Sequence, residues 1–252
     1  MSGARTLAFD IGGTGIKAGV FDDRGVLVGQ PVRVDTAYPS PPARLVTQLQ
    51  DVARLLPGAD RIGVGFPGLL RSDRVVWVNS LTRAAPGGPV DEDLARQWVG
   101  CDLTQALSDA FQVPVRVAND ADVAALACVT GSGLECVITL GTGLGFSLVQ
   151  DGCLLPHLEL SGAPFLPGRD FEQVLGNSGL ESDGLGPWIG HVRAAADVLR
   201  GFVYFDHLFV GGGNARLLEG VPLGPDVTVV DNVNGLRGGY LLWRLGDDSH
   251  VR

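Results

Sequence analysis

In the stretch Val117-Ala118-Asn119-Asp120-Ala121-Asp122 an apolar strand gives way to a helix, so an amide and a carboxylate sit together at a strand-to-helix junction. Open α/β folds place their sites at the carboxyl ends of sheet strands, and a carboxylate there can hold a polar ligand. Either Asn119 or Asp120 could instead do no more than cap the helix, a role both residue types fill well. Two other stretches suggest phosphate chemistry. Gly12-Gly13-Thr14-Gly15 and Gly141-Thr142-Gly143 each join two apolar runs, and the backbone N–H groups of such turns can cradle an anion. Gly211-Gly212-Gly213-Asn214 closes a further apolar run, where three glycines would let a flat ligand lie on the backbone, although a tight turn needs only one.

The elements that must position these residues can be read from periodicity. Residues 6–11 and 16–21 are strands flanking the first glycine turn, and Val26-Leu27-Val28 is a third, after a turn at Asp22-Asp23-Arg24-Gly25. Because the glycine turn links two strands of a hairpin, the dinucleotide fingerprint and the P-loop, which need a helix next, are excluded. Leu45, Leu49, Val52 and Leu56 fall at helical spacing up to Pro57-Gly58. Residues 61–66 are a strand ending at Pro67-Gly68, 72–79 a hairpin, 82–89 a flexible loop, 103–111 a helix and 114–118 the strand before Asn119. Residues 136–155 then repeat the grammar of the N-terminus: strand, Gly-Thr-Gly turn, strand, Asp-bearing turn, strand. The chain is therefore read as an internal duplication, and two such tips facing each other would grip a polyphosphate from both sides. A helix around residues 192–203, strands at 205–210 and 227–230 and a closing helix at 236–245 complete it. The expected division is 1–118 and 119–252, with the last helix able to return to the N-terminal lobe.

With 252 residues, 45% of them hydrophobic and 19% charged, the chain is globular and large enough for two modest lobes. A net charge of -9 without a basic cluster argues against nucleic acid as a partner, since neutralising phosphates takes grouped Lys and Arg. Cys101, Cys128, Cys136 and Cys153 form no CxxC pair, which argues against structural zinc and against a disulfide scaffold. No stretch reads as a leader or a membrane span, so a cytoplasmic protein is expected.

Four motifs in this order, Asp10-Ile11-Gly12-Gly13-Thr14-Gly15-Ile16-Lys17, Asn119-Asp120-Ala121, Leu140-Gly141-Thr142-Gly143-Leu144-Gly145 and Gly211-Gly212-Gly213-Asn214, resemble those of the ROK family of sugar kinases, closest to its polyphosphate-dependent glucokinase branch. The resemblance implies an α/β, actin-like (ribonuclease-H-like) duplicated fold of two lobes with a cleft between them. It implies a kinase that moves a phosphoryl group from ATP or polyphosphate to a hexose, most naturally glucose at its 6-hydroxyl. Asp120 would be the general base and Asn119 would bind neighbouring hydroxyls. Asp10 would orient Mg²⁺ through water. Gly12, Gly13, Thr14, Gly141, Thr142 and Gly143 would hold the donor phosphates, and Gly211, Gly212, Gly213 and Asn214 the adenosine of a nucleotide donor. Lys17 would add a positive charge, or is simply a surface lysine. Phe66-Pro67-Gly68 matches a loop over the sugar, Asn79 a second sugar-binding Asn and Glu159 the Glu of a Glu-x-Gly-His motif, unless Glu159 is merely solvated. Homodimers are usual in the family.

The chain departs from the pattern at Ser161 and Gly162, which occupy the Gly and His positions of that motif, so the sugar-contacting imidazole is absent. Moving His157 into the role would put Leu154 in the Glu position. The loss leaves a sugar hydroxyl without its partner, worth about 1–3 kcal/mol. It prompts a second hypothesis, a non-catalytic sugar or nucleotide sensor on the same fold. Retention of Asp120 favours the kinase, since a sensor has no use for a base. No basic track runs beside the tips in the sequence. Arg71, Arg74 and Arg83 could form one only if the fold gathers them.

Overall fold

Apolar runs at the start of each half become the central strands of two separate sheets. The computed structural model describes residues 3–78, 80–230 and 235–244. The chain divides into two compact units, Met1–Ala127 with Asn234–Arg252, and Cys128–Val233. The first therefore extends past the 118/119 division read from the sequence and keeps the Asn119-Asp120 junction whole.

In the first unit β1 (Thr6–Ile11), β2 (Gly15–Phe21) and β3 (Leu27–Asp35) form an antiparallel meander, followed by α1 (Pro42–Ala53) and β4 (Arg61–Phe66), which lies parallel to β1. A hairpin of β5 (Gly68–Arg71) and β6 (Arg74–Val78) precedes α2 (Glu92–Trp98) and α3 (Leu103–Phe111). Then β7 (Val115–Asn119) runs parallel to β4 and passes directly into α4 (Asp120–Leu126). The sheet order is β3-β2-β1-β4-β7. Its core joins Phe9, Ile11, Ile16, Val64 and Phe66 to Leu45 and Leu49 of α1 and to Leu103 and Leu107 of α3.

The second unit contains β8 (Leu134–Leu140), β9 (Leu144–Gln150), β10 (Cys153–Leu154), the short pair β11 (Pro164–Leu166) and β12 (Arg169–Asp170), α5 (Phe171–Leu175), α6 (Asn177–Asp183), α7 (Leu185–Val203), β13 (His207–Gly211) and β14 (Val227–Val229). Its sheet order, β10-β9-β8-β13-β14, reproduces the first strand for strand. The β8–β9 and β9–β10 pairs are antiparallel and the β8–β13 and β13–β14 pairs parallel, as in the first sheet.

Finally α8 (Gly235–Leu241) packs on β1 and β4 of the first unit. Glycine permits the contact: a Cβ on Gly238 would stand 1.7 Å from the Val123 carbonyl oxygen, and one on Gly63 2.0 Å from that of Gly239. Trp243, just beyond, donates to the Ile62 carbonyl (3.1 Å) and lies against the guanidinium groups of Arg61 and Arg116.

The third strand is longer than the Val26-Leu27-Val28 reading because it continues through Gly29 and Pro31, which read as breakers. The hairpin begins at Gly68 rather than at 72, where Ser72 and Asp73 make its turn with positive φ. The 82–89 span is a loop closed at its base, where the Asp91 amide donates to the Thr82 carbonyl (2.7 Å). Asp91 then caps α2, a helix too short to show a period in the sequence. Among the described residues no helix is long and apolar enough to cross a membrane.

Candidate active site

In the first unit the chemistry gathers at the carboxyl ends of β1, β4 and β7. The register pairs Asp10 of β1 with Lys17 of β2, and the Lys17 ammonium stands 3.4 Å from the Asp10 carboxylate. The turn between them is fixed by its own backbone and by neighbours. Gly12 N–H donates to the Gly15 carbonyl (2.9 Å), the Thr36 hydroxyl to the Gly12 carbonyl (2.7 Å) and the Tyr38 hydroxyl to the Gly13 carbonyl (2.6 Å). Among the described residues the Gly13 and Thr14 N–H groups donate to no acceptor of the chain, so two consecutive donors remain for an anion. Ser80 backs the turn closely enough that a Cβ on Gly13 would meet its Cβ at 2.8 Å.

At the end of β7 the two neighbouring polar residues divide the work. Asn119 is buried; its Oδ1 accepts from Ala121 N–H (2.8 Å) to cap α4, and its Nδ2 donates to the Gly68 carbonyl (3.0 Å). Gly68 is itself locked, since a Cβ there would meet the Trp77 carbonyl oxygen at 2.6 Å. Asp120, the first residue of the helix, is half-buried and its Oδ1 also accepts from Ala121 N–H (2.9 Å). A carboxylate in the first helical turn is favoured by the helix dipole. Asn79 lies outside the described residues.

In the second unit the tip between β8 and β9 repeats the first. Gly141 N–H donates to the Gly143 carbonyl (3.1 Å), while the Thr142 and Gly143 N–H groups have no acceptor among the described residues. The Gly211 to Asn214 run is brought to this tip. Gly212 has φ +92°, a Cβ there would stand 2.4 Å from the Leu140 carbonyl oxygen, and Asn214 N–H donates to that same carbonyl (3.0 Å). The Asn214 amide also donates to Asn177 Oδ1 (2.8 Å), and Asn177 N–H to the Gly141 carbonyl (2.9 Å). Gly212 is thus required by the turn, whereas a Cβ on Gly213 would meet open space.

The family model described as ROK family matches residues 6–156, more than half of the chain. The chain belongs to the ROK family. Polyphosphate glucokinase of Mycobacterium tuberculosis is 26% identical over 217 residues, spanning 82% of this chain and 77% of that protein. The inorganic polyphosphate/ATP-glucomannokinase of Arthrobacter sp. strain KM has a crystal structure that superposes with a TM-score of 0.76 at 28% identity, covering 96% of this chain and 99% of that one. A ROK family glucokinase from Streptomyces griseus, solved with glucose and AMPPNP, shares the fold at a TM-score of 0.70 and 20% identity, over 96% and 100% of the chains. The fold of this ROK protein is accordingly the actin-like one, and the repeated sheet order is its internal duplication.

Glu159 lies on the irregular stretch between β10 and β11 of the ROK chain. Its Oε1 accepts from Ser161 N–H (3.3 Å), and its Oε2 is 3.7 Å from Nε2 of the buried His157. Burial pushes the Glu159 carboxyl up, but the His157 imidazole and the Ser161 hydroxyl and amide outweigh it and hold the carboxyl below its ordinary range. Gly162 faces open space, so nothing at the motif's His position reaches the site.

Sequence reasoning missed Glu172. Its N–H donates to the Ser161 carbonyl (3.0 Å), and its carboxylate lies 2.8 Å from where a Cβ on Gly143 would be, beside the second tip. Burial raises its pKa, the Leu144 amide opposes the rise, and the charges of Asp170 and Glu159 add to it. A signal was present: Asp170 and Gln173 form a capping box, which marks a helix start and puts Glu172 in its first turn. Of Arg71, Arg74 and Arg83, Arg83 is close enough to Tyr38, whose hydroxyl donates to the Gly13 carbonyl, to act on it electrostatically. Arg74 turns to Asp102 (3.9 Å) and the Gly100 carbonyl, Arg83 to the Gly88 carbonyl and Arg71 to the carbonyl of Leu70.

Among the described residues no three His, Cys, Asp or Glu side chains converge as a metal cage. A single carboxylate such as Asp10 nonetheless suits Mg²⁺, which keeps most of its waters and is shared with substrate phosphates. Asp10 offers that one hard oxygen donor at the root of the first tip.

Proposed function

We propose that this ROK protein transfers the terminal phosphoryl group of ATP or inorganic polyphosphate to the 6-hydroxyl of glucose, with Asp120 as general base. The enzyme class, a phosphotransferase of the hexokinase/glucokinase type, follows from family membership and from relatives that are polyphosphate glucokinases. The observation that supports the assignment of the base is at the β7–α4 junction: the buried Asn119 caps α4, while the half-buried Asp120 carboxylate takes a shared bond from Ala121 N–H through Oδ1. In this reading Asp120 takes the proton of the attacking hydroxyl, while Asn119, Glu159 and the Gly68 loop bind the neighbouring hydroxyls, joined by Asn79. Glu172 adds a half-buried carboxylate beside the second tip. Gly12, Gly13 and Thr14 in one unit and Gly141, Thr142 and Gly143 in the other offer their N–H donors to the phosphates. Gly211 to Asn214 stiffen the second tip and support the base of a nucleotide donor. Asp10 would hold Mg²⁺, which supplies charge neutralisation at the transferring phosphoryl group, and Lys17 adds to it. Such catalysis is mostly positioning and charge, so no further nucleophile is needed. The protein acts in the cytoplasm as a homodimer, for which Val198, Phe202 and Tyr204, exposed at the end of α7, offer an apolar face.

The test is phosphoryl transfer by the full chain with Mg²⁺, ATP or polyphosphate as donor and glucose, mannose, fructose and glucosamine as acceptors, with and without chelator. Turnover of glucose that the chelator abolishes is expected. No turnover with any pair, while calorimetry still registers glucose binding, would replace this reading with a sugar sensor, the alternative that the glycine at position 162 favours.

A further inference from the structure

We infer that His157 is a positioning residue for Glu159, supporting its carboxylate from outside the family motif. The inference rests on the reading that Glu159 is a sugar ligand. His157 lies in a stretch without regular secondary structure, yet it is only 7% exposed. A polar ring is seldom buried in a loop without a polar task, since desolvation must be offset. Its Nε2 stands within ion-pair distance, 3.7 Å, of one Glu159 oxygen, while Ser161 N–H donates to the other. The Glu159 side chain keeps 35% exposure, which leaves it accessible to an acceptor. Glu172 of α5 is close enough for its charge and that of Glu159 to repel. The His157 imidazole acts the other way and favours the charged Glu159. Position 162 is a glycine around which a Cβ would meet nothing within 4 Å, so no side chain there acts on Glu159.

The experiment compares wild type with His157→Ala, His157→Gln, Glu159→Gln and the His157→Ala/Glu159→Gln double variant. Glucose saturation curves are measured across pH, and thermal unfolding checks folding. His157→Ala is expected to raise the glucose KM by about ten- to a hundredfold, the range of a hydrogen bond to a charged group, with kcat and the donor KM changed less than about threefold. The acid limb of kcat/KM for glucose should move to higher pH, because the imidazole no longer helps hold the carboxyl below its ordinary range. His157→Gln, which keeps a donor, should recover part of the loss. In the Glu159→Gln background the His157 change should add less than about twofold, as for two residues acting as one unit. The inference is overturned, and the kinase reading kept, if folded His157→Ala and His157→Gln leave the glucose KM and the acid limb unmoved while Glu159→Gln raises that KM. If wild type phosphorylates no sugar, the kinase reading fails separately, and calorimetric glucose affinities of the same variants decide the inference: equal affinities overturn it and a weakened His157→Ala supports it.

Discussion

Replacing Asn119 and Asp120 in turn separates a helix cap from a catalytic base at adjacent positions. Asn119→Ala removes a cap bond to Ala121 N–H and a buried bond to the Gly68 carbonyl. The first is worth about 1 kcal/mol and the second about 1 kcal/mol, so the first unit should lose about 2 kcal/mol. For a unit of this size that lowers its melting temperature by about 4–8 °C. Asp120→Asn leaves both bonds and the helix start intact, and its side chain can still accept from Ala121 N–H. Its melting temperature should stay within about 2 °C of wild type, as for substitutions away from packing and capping contacts. Its kcat should nevertheless fall by about 10²- to 10⁴-fold, or about 3–5 kcal/mol of transition-state stabilisation, because an amide cannot accept the hydroxyl proton. The assay is steady-state glucose phosphorylation with differential scanning calorimetry on the same preparations. An Asp120→Asn variant that keeps more than a tenth of kcat, or that melts as early as Asn119→Ala, would refute the division of labour.

Two other perturbations have signs fixed by the structure. Gly238→Ala drives a methyl into the Val123 carbonyl and should destabilise the first unit by at least about 2 kcal/mol, whereas Gly201→Ala, in α7 with open space around it, should gain about 0.5–1 kcal/mol; calorimetric melts of both variants check the pair. Glu172 has its native pKa raised by burial, so the stability it contributes is fully present below the ordinary Glu range and is lost as pH climbs through the raised value. Glu172→Gln should therefore unfold later than wild type in urea at pH 7, with the difference vanishing toward pH 4, while glucose phosphorylation weakens; an equal gain at both pH values would show that the charge is not the cause.

Local signals and tertiary ones fared differently in the sequence. The strands around the glycine turns were readable because alternation and turn chemistry are written within a few residues, and β4 and α3 appear at the bounds that periodicity set. The division between the units was not, because α4 carries no mark saying which sheet it packs against. The closeness of α8 depends on Gly63, Gly238 and Gly239 meeting across more than a hundred residues of chain, and glycines scattered that far apart read as breakers. The His157–Glu159 pair was obscured for another reason. Aligned on a motif, an imidazole two residues upstream counts as a mismatch, while in space both side chains meet on one irregular loop.

The duplicated frame also explains why chemistry could be assigned to individual strands. In the first sheet Asp10 pairs with Gly65 of the neighbouring parallel strand, and in the second the residue in the same register is Thr139, paired with Gly211. Each unit thus ends its first strand in a turn with two N–H groups that no acceptor among the described residues takes, but only the first places a carboxylate at the root of that turn. The second unit has a neutral residue there and sets Glu159 and Glu172 on elements inserted after the meander, outside the repeated frame. Both copies keep the N–H donors, with the Asp10 carboxylate at the root of the first tip and the Glu172 carboxylate beside the second; on the proposed reading the first unit adds a metal-binding oxygen at Asp10 and, two strands away at the end of β7, the base Asp120.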